Sequence, residues 1–339
     1  MRRPTLAIAV VIAATLAAIA AAVFAPQAPA RGSGTGLSLV AYSTPREAYG
    51  QLIPLFQKSP AGDDVSFTQS YGASGDQTRA VKAGLKADVV ALSLAPDMDE
   101  LVKAGLVDAK WNRQSYKGMV TDSLVVFVVR DGNPKKIKEW NDLLKPGVQV
   151  VTPNPFTSGG ARWNVMAAYG AWRKSGKTDA QAQANLLKLF RNVVAQDKSA
   201  RDSLNTFLNG KGDVLLAYEN EAILANLKGQ KAPYVIPRST ILIENPVAVT
   251  KDSSNKNEAN QFLRFLRTPQ AQQVFADWGY RPVVKSVLER HRKKFPVRPG
   301  QFTIDQLGLG GWAKVQTRFF DSKSGIMARI ESQVGGVTG

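Results

Sequence analysis

Short β-branched or apolar runs alternate with helical patterns along most of this 339-residue chain. This alternation constrains the fold most, because strands separated by helices form parallel sheets that the helices cover. With 44% hydrophobic residues, the chain can bury a large core divided between two compact lobes. The sequence predicts an α/β fold, with strands at Leu37–Tyr42, Val65–Gln69, Val89–Leu92, Leu124–Val129, Val148–Thr152, Val193–Ala195 and Val214–Ala217.

Two longer strand-like runs are suited to carry the chain between the lobes. They are Thr121–Arg130 and Thr240–Thr250, and a self-sufficient α/β segment lies between them. We therefore expect residues 37–121 and 247–339 to form lobe one and residues 122–246 to form lobe two. The ligand cleft then lies between the lobes, outside the carboxyl ends of the strands, and the two runs act as hinge strands.

The N-terminal segment has the pattern of an export signal. Arg2 and Arg3 precede the apolar, Ala-rich run Leu6–Ala25, and Ala28-Pro29-Ala30 is a small-x-small cleavage pattern. We expect residues 1–30 to be a signal peptide and residues 31–36 a flexible leader, which places the protein in the periplasm or another extracytoplasmic space. The alternative is an uncleaved membrane anchor, because about 20 apolar residues are enough to span a bilayer.

Charge and residue types exclude several function classes. The formal net charge is +17, which steers anions or holds the chain near an anionic surface, but the basic residues are too dispersed for a nucleic-acid site. No cysteine is present, so disulfides, thiolate metal sites and cysteine nucleophiles are excluded. His291 is the only histidine and lies between Arg290 and Arg292, as in a solvated basic turn. No nucleophile elbow, metal-ligand set or phosphate-binding loop is present, so we predict no catalytic residue, no metal and no cofactor.

One helix start is well suited to bind an anion. The β-branched run Val150–Thr152 ends at two prolines, and Ser158-Gly159-Gly160 then opens a helical pattern. Backbone N–H groups at a helix start have no intrahelical partner and lie at the positive end of the helix dipole. A Ser-Gly-Gly turn lets an anion approach them closely.

Three further helix starts follow predicted strands. With the start at Ser158, this makes four helix starts at the carboxyl edge of a sheet, two in each predicted lobe, and all four would present N–H groups to one cleft. The predicted caps are Ser74 with Gln77 three residues on, Thr44 followed by Pro45 and Glu47, and Ser199 for a helix that reaches about Leu208. Ordinary capping is the alternative explanation for each of these signals taken alone.

With these segments, the chain closely resembles the periplasmic sulfate-binding and thiosulfate-binding proteins of ABC transporters. The resemblance runs from about Ala41 to Phe320 and is most specific between Asn154-Pro155 and Arg162-Trp163-Asn164. It also includes Tyr71–Gln77, Gly132–Lys135, Trp140–Leu143, Lys145–Val148, Asp213–Ala222, Tyr280–Pro282 and Phe302–Asp305. It implies a type II periplasmic-binding-protein-like fold of two lobes, which close around a dehydrated dianion held by uncharged donors.

The resemblance also assigns the donors. The backbone N–H groups are those of Ser43, Ser74, Gly159, Gly160 and Ala200, and the side-chain donor is the Ser158 hydroxyl. Ser43 stands where the family usually has aspartate, and a backbone donor tolerates that change. Arg162 and Arg201 follow these donors into the first helical turn, and we interpret them as supports that do not touch the anion.

Position 218 departs from the family pattern. The family usually has Trp-Glu-Asn-Glu, with an indole N–H on the ligand, whereas this chain has Tyr218-Glu219-Asn220-Glu221. The Tyr218 hydroxyl can donate in its place, directly or through a water, and the alternative is that the ring only packs against the cleft wall.

The function predicted from these residues is binding of sulfate or thiosulfate and delivery to an ABC-type permease by closure of two lobes. The expected protein is a monomeric binding protein and not an enzyme. Two alternatives remain at this point: a receptor for another tetrahedral oxyanion such as molybdate, and an exported hydrolase of phosphate or sulfate esters. The missing base and metal ligands disfavour the hydrolase.

Overall fold

The structure is a computed structural model that describes residues 34–336, so the predicted signal peptide lies outside the described residues. Thr35 and Gly36, which we expected in the flexible leader, instead begin the first strand because their backbones pair with Val65 and Ser66. The strands are β1 (Thr35–Tyr42), β2 (Val65–Gly72), β3 (Val89–Ala91), β4 (Met119–Val129), β5 (Val150–Pro153), β6 (Val193–Asp197), β7 (Val214–Tyr218), β8 (Tyr234–Val235), β9 (Ser239–Val249), β10 (Arg281–Pro282) and β11 (Gly300–Phe302). All seven predicted strands are confirmed.

Helices follow most of these strands, as the alternating pattern predicted. They are α1 (Arg46–Gln57), α2 (Ser74–Lys82), α3 (Ala95–Lys103), α4 (Gly159–Lys174), α5 (Asp179–Arg191), α6 (Ala200–Leu208), α7 (Glu219–Leu227), α8 (Lys256–Leu266), α9 (Pro269–Asp277), α10 (Lys285–Arg290), α11 (Gly311–Phe320) and α12 (Ile326–Val334). Helix α4 is buried from Gly159 to Trp172 because glycine and alanine recur along it and let neighbouring elements approach closely. Among residues 34–336, no helix is both long and apolar enough to cross a membrane.

The strands form a mixed sheet in the order β2-β1-β3-β9-β4-β7-β5-β6. Strands β2, β1 and β3 are parallel to one another, as are β6, β5 and β7. Strands β9 and β4 lie between these two parallel groups; they are antiparallel to each other, β9 is antiparallel to β3, and β4 is antiparallel to β7. The carboxyl ends of each parallel group therefore lie at one edge of that group, where ligands bind in α/β proteins.

Two long strands connect the parallel groups. Strand β4 pairs with β9 up to Leu124 and with β7 from Val125 onward. Strand β9 pairs with β4 up to Pro246 and with β3 from Val247 onward. These are the two runs that the sequence analysis singled out as connections, and their role as hinges stays a prediction, as do the lobe boundaries.

The C-terminal residues pack in a place that the sequence analysis did not expect. Residues 247–339 were assigned as a whole to lobe one, yet the Phe319 ring lies 4.8 Å from that of Tyr169 in α4, and Trp312 lies 4.8 Å from Trp163. Strand β11 also pairs in parallel with the first three residues of β9. Apolar side chains of α11 and α12 find their partners on α4 and α5, so we propose that residues 300–334 belong with residues 122–246.

Candidate functional site

The start of α4 is built as the sequence predicted. Ser158 is the residue before the first helical turn, and no side chain caps the helix. A β-carbon added to Gly159 would lie 2.4 Å from the Ser93 hydroxyl oxygen and 2.2 Å from a Leu94 methyl carbon. A β-carbon added to Gly160 would lie 2.7 Å from the Tyr218 ring. Both positions therefore require glycine, because neighbouring residues contact the backbone directly.

The start of α6 meets the start of α4. Ser199 accepts a hydrogen bond from the Asp202 backbone N–H, which confirms it as the cap of α6. A β-carbon at Gly160 would lie 3.3 Å from the Ala200 β-carbon and 3.4 Å from the Ser158 hydroxyl oxygen. The structure therefore brings together four of the predicted site residues: Ser158, Gly160, Ala200 and, through its ring, Tyr218.

Tyr218 ends β7 and is buried at the same place. Its hydroxyl lies 2.6 Å from that of Ser93, and its ring packs against Gly160. Burial raises the pKa of the Tyr218 hydroxyl well above its ordinary value, so the group keeps its proton at neutral pH. The residue packs in the wall of the site and also carries a donor there.

The start of α2 differs from the prediction. Ser74 is the first residue of the helix, Ala73 precedes it, and no side chain caps it. The Ser74 hydroxyl donates to Asp97 at 2.5 Å and accepts from the Ser93 backbone N–H at 2.9 Å. The predicted cap is therefore wrong, because the hydroxyl is held by residues on α3 and after β3. Only the backbone N–H of Ser74 is left as a donor.

Helix α2 is also joined to the loop before α4. The Gly75 backbone N–H donates to the Thr157 carbonyl oxygen at 2.9 Å, and a β-carbon at Gly75 would lie 2.8 Å from that oxygen. The predicted box residue Gln77 instead hydrogen-bonds Ser70. The α2 and α4 starts, which we placed in different lobes, are therefore in direct contact.

Ser43 lies in the turn between β1 and α1, which begins at Arg46 after Pro45. Thr44 does not cap α1, contrary to the prediction, because its hydroxyl pairs with that of Tyr280 at 2.9 Å. The Thr44 carbonyl oxygen accepts from the Arg201 guanidinium at 3.0 Å. The segment carrying Ser43 is thus held by Tyr280 on one side and by the first turn of α6 on the other.

Arg201 is engaged by two carboxylates. Its guanidinium donates to Glu221 at 2.6 Å and to Glu47 at 2.9 Å. Burial raises the pKa of Glu47, but hydrogen bonds from Arg201 and Lys228 outweigh it and hold that pKa at about 2. Burial also opposes the charge on Arg201, yet Glu221 and Glu47 raise the pKa of this group above its ordinary value. Arg201 therefore stays charged and paired.

Arg162 is held by one carboxylate and one backbone carbonyl. It donates to Asp97 at 3.2 Å and to the Pro155 carbonyl oxygen at 2.9 Å. Burial raises the pKa of Asp97, although the charge on Arg162 opposes this shift. Because their guanidinium groups are bound to protein oxygens, Arg162 and Arg201 support the loops, and the donors left for an anion are uncharged.

The sequence analysis missed Ser93, which connects most of this site. It follows β3 and contacts Ser74, Tyr218 and Gly159. Its position directly after the buried run Val89–Leu92 was the available signal, because a polar residue at the carboxyl end of a parallel strand faces the ligand edge. No helix cap pattern follows it, so a search for caps passes over it.

No group of three or more His, Cys, Asp or Glu side chains in residues 34–336 is placed to hold a metal ion. His291, outside the site, contacts Gln273 through its ring nitrogen at 3.0 Å. What the described part of the chain offers at the site is a set of helix N-termini and hydroxyls at the carboxyl edges of parallel strands. This arrangement suits capture of an anion.

The fold and these converging helix N-termini define a protein of the solute-binding class. The chain belongs to the bacterial extracellular solute-binding protein family, whose model matches residues 37–281. It is 44% identical to a sulfate-binding protein of Synechococcus elongatus, over 99% of this chain and 98% of the relative. It is also 35% identical to a thiosulfate-binding protein of Pseudomonas aeruginosa, over 86% of this chain and 91% of the relative.

A solved structure agrees with these comparisons. The sulfate-binding protein SubI from Mycobacterium tuberculosis superposes with a TM-score of 0.82 at 42% identity, covering 85% of this chain and all of that one. The predicted fold class and family resemblance are thereby confirmed. The relatives are binding proteins, which also confirms the prediction that the chain is not an enzyme.

Proposed function

We propose that this protein binds sulfate or thiosulfate outside the cytoplasm and delivers the anion to an ABC-type permease. The contact between the starts of α4 and α6 at Gly160 carries the proposal, because it places unpaired helix N–H groups side by side. The names of the relatives support sulfate and thiosulfate as the anions.

The proposed donors are the backbone N–H groups of Ser43, Ser74, Gly159, Gly160 and Ala200, together with the hydroxyls of Ser158 and Tyr218. A buried dianion needs many donors, since each oxygen lone pair that loses water without a new partner costs free energy. The nearby guanidinium groups of Arg162 and Arg201 are occupied by Asp97, Glu47 and Glu221. The anion is therefore held by dipoles and not by a counter-charge.

The same donors explain a preference for a fully deprotonated anion. Sulfate carries no proton at neutral pH, so every oxygen accepts hydrogen bonds from N–H groups. Hydrogen phosphate brings its own proton and needs an acceptor for it. A set made mainly of N–H groups therefore favours sulfate.

Transport follows from closure of the two proposed lobes around the anion. The contacts between the α2 and α4 starts, and between Arg201 and Glu47, belong to the closed arrangement in this interpretation. A ligand that is bound by donors from both lobes shifts the population toward the closed form. A monomer in that form presents both lobes to the permease, so we propose a monomeric delivery protein.

Isothermal titration calorimetry tests the proposed ligand. The protein lacking residues 1–33 is unfolded, dialysed free of oxyanions, refolded and titrated with sulfate, thiosulfate, molybdate and phosphate in a chloride buffer. We expect micromolar or tighter binding of sulfate or thiosulfate and much weaker binding of phosphate. No heat with either sulfur oxyanion from a folded protein would overturn the proposal, and tight binding of molybdate alone would replace it with the runner-up ligand.

A further inference from the structure

Two hydroxyls meet at the centre of the site. The Ser93 and Tyr218 oxygens lie 2.6 Å apart, which is a hydrogen bond, and the residues are 1% and 2% exposed. Ser93 follows β3 and Tyr218 ends β7, so the bond links the carboxyl ends of the two parallel groups of strands. We call these two residues the hydroxyl pair.

The hydroxyl pair carries one proton more than its internal bond uses. Each hydroxyl has one O–H, and a single O–H···O bond consumes one of the two. Among residues 34–336, neither hydroxyl has another hydrogen-bond partner. The Ser93 backbone is also occupied, since its N–H donates to Ser74 and its carbonyl oxygen accepts from Trp163 and Asn245. One buried O–H is therefore available to a ligand, and leaving it unpaired costs free energy.

The free O–H lies beside the proposed anion donors. The Ser93 oxygen would be 2.4 Å from a β-carbon at Gly159, and the Tyr218 ring would be 2.7 Å from one at Gly160. The hydroxyl pair is therefore in van der Waals contact with the two glycines whose N–H groups point to the anion in the proposed function. A proton at this place has an anion oxygen as its natural acceptor.

We propose that Ser93 is a further specificity-determining residue. Together with Tyr218 it donates one O–H to the bound oxyanion. When the oxyanion is protonated, a hydroxyl of the pair rotates and accepts a hydrogen bond from it. This inference rests on the proposed function, because it concerns the same anion. A backbone or indole N–H only donates, whereas each hydroxyl of the pair also has lone pairs. Among the proposed donors, the hydroxyl pair can therefore also accept a hydrogen bond from the ligand.

The reversal has a consequence for selectivity. With sulfate, one hydroxyl donates to the anion and the other donates to its partner. With hydrogen phosphate, the hydroxyl that faces the anion accepts the proton of the anion and donates its own proton to its partner. The O–H of that partner is then left without an acceptor, so phosphate is accommodated at a cost. The site then rejects hydrogen phosphate less strongly than one in which an N–H group occupies the position of Tyr218.

The experiment measures sulfate and hydrogen phosphate affinities by calorimetry at pH 8 for Ser93→Ala, Tyr218→Phe, the double variant and Tyr218→Trp. Each of the first two should lose about tenfold in sulfate affinity, and the double variant should lose no more than the weaker-binding single variant. Tyr218→Trp should stay within about tenfold for sulfate and raise the ratio of sulfate to phosphate affinity at least tenfold. Ser115→Ala with Tyr116→Phe, which removes the same two hydroxyls from an exposed turn, is the matched control.

The outcomes separate this inference from the proposed function. If the wild-type protein binds neither sulfate nor thiosulfate, the proposed function fails and this inference fails with it. If the wild type binds and the two single losses add in the double variant, or Ser93→Ala binds sulfate normally, only the role of the hydroxyl pair is overturned. An unchanged affinity ratio in a folded Tyr218→Trp variant would also overturn it. Melting temperatures of all variants identify any that fail to fold.

Discussion

Gly160 shows how a single residue without a side chain shapes the site. Its backbone lies against the Tyr218 ring, the Ala200 β-carbon and the Ser158 hydroxyl at once. Its φ is not positive, so the requirement for glycine comes from space and not from backbone conformation. In the proposed function, this close approach puts the N–H groups of two helix starts within reach of one anion.

At this scale we predict that Gly160→Ala weakens sulfate binding at least tenfold while the protein still folds. The new methyl group overlaps the buried Tyr218 ring, and overpacking of this kind costs about 1–3 kcal/mol. Calorimetry measures the affinity and thermal unfolding measures the stability. Gly50→Ala is the matched control, because nothing lies within 4 Å of an added β-carbon in that helix. Near-normal affinity in Gly160→Ala would place the anion elsewhere.

Two carboxyl side chains face each other where strands β4 and β9 pair. Asp122 lies directly opposite Glu244 in the ladder, and Arg281 of β10 lies opposite Asp122 on its other side. The Arg281 guanidinium is bound to Glu219 at 2.6 Å and does not neutralise the pair. Burial and the charge of Glu244 raise the pKa of Asp122 to about 8, and Arg281 opposes them. The pKa of Glu244 is raised as well, chiefly by burial, with Lys117 opposing and Asp305 adding to it.

The carboxyl pair on β4 and β9 therefore lowers the stability of the folded protein as the pH rises. A carboxyl whose pKa is higher in the folded state binds its proton more tightly there, so its stabilising effect is complete below the unfolded value of about 4 and is lost as the pH rises to about 8. Asp122→Asn should match the wild type in melting temperature near pH 4 and exceed it by about 2–4 °C at pH 8. Differential scanning calorimetry across this range measures the difference. A difference that is constant with pH would contradict the assignment.

Over the whole molecule, one ion-pair network joins distant parts of the chain. Glu47 in α1 binds Arg201 in α6 and Lys228 after α7, and Arg201 also binds Glu221. These links hold the start of α1, next to Ser43, against the start of α6. In the proposed function they form when the lobes close, so they add to the free energy of binding.

The prediction at this scale concerns closure. Glu47→Gln should weaken sulfate binding about tenfold to 150-fold, because a hydrogen bond to a charged group contributes roughly 1.5–3 kcal/mol and the closed form loses it. X-ray scattering should show a smaller decrease in radius of gyration on sulfate addition than in the wild type. Glu100→Gln, which breaks an exposed pair with Lys82 and Lys103, is the control and should change neither value. Closure and affinity equal to the wild type would remove Glu47 from the closing contacts.

Sequence reasoning succeeded where the signal was local. The strands, the start of α4 at Ser158 and the Ser199 cap of α6 depend on residues within a few positions of one another. It failed for the Thr44 and Ser74 caps, because their hydroxyls bind Tyr280 and Asp97, 236 and 23 residues away in the chain. A hydroxyl caps a helix only when the neighbouring backbone N–H is a better hydrogen-bond partner than the other groups that the fold places beside it.

The sequence alone determined the alternation of elements, the family and the helix starts that present N–H groups, since periodicity and motifs encode these directly. Tertiary structure decided which polar groups remain free for a ligand. Only packing shows that Arg162 and Arg201 are occupied by carboxylates, that residues 300–334 lie on α4 and α5, and that Ser93 meets Tyr218. Hydrogen bonds form between groups that are close in space. Strands β4 and β9 connect the two parallel groups, so the fold brings together residues that are far apart in the sequence, and no local sequence pattern indicates those contacts.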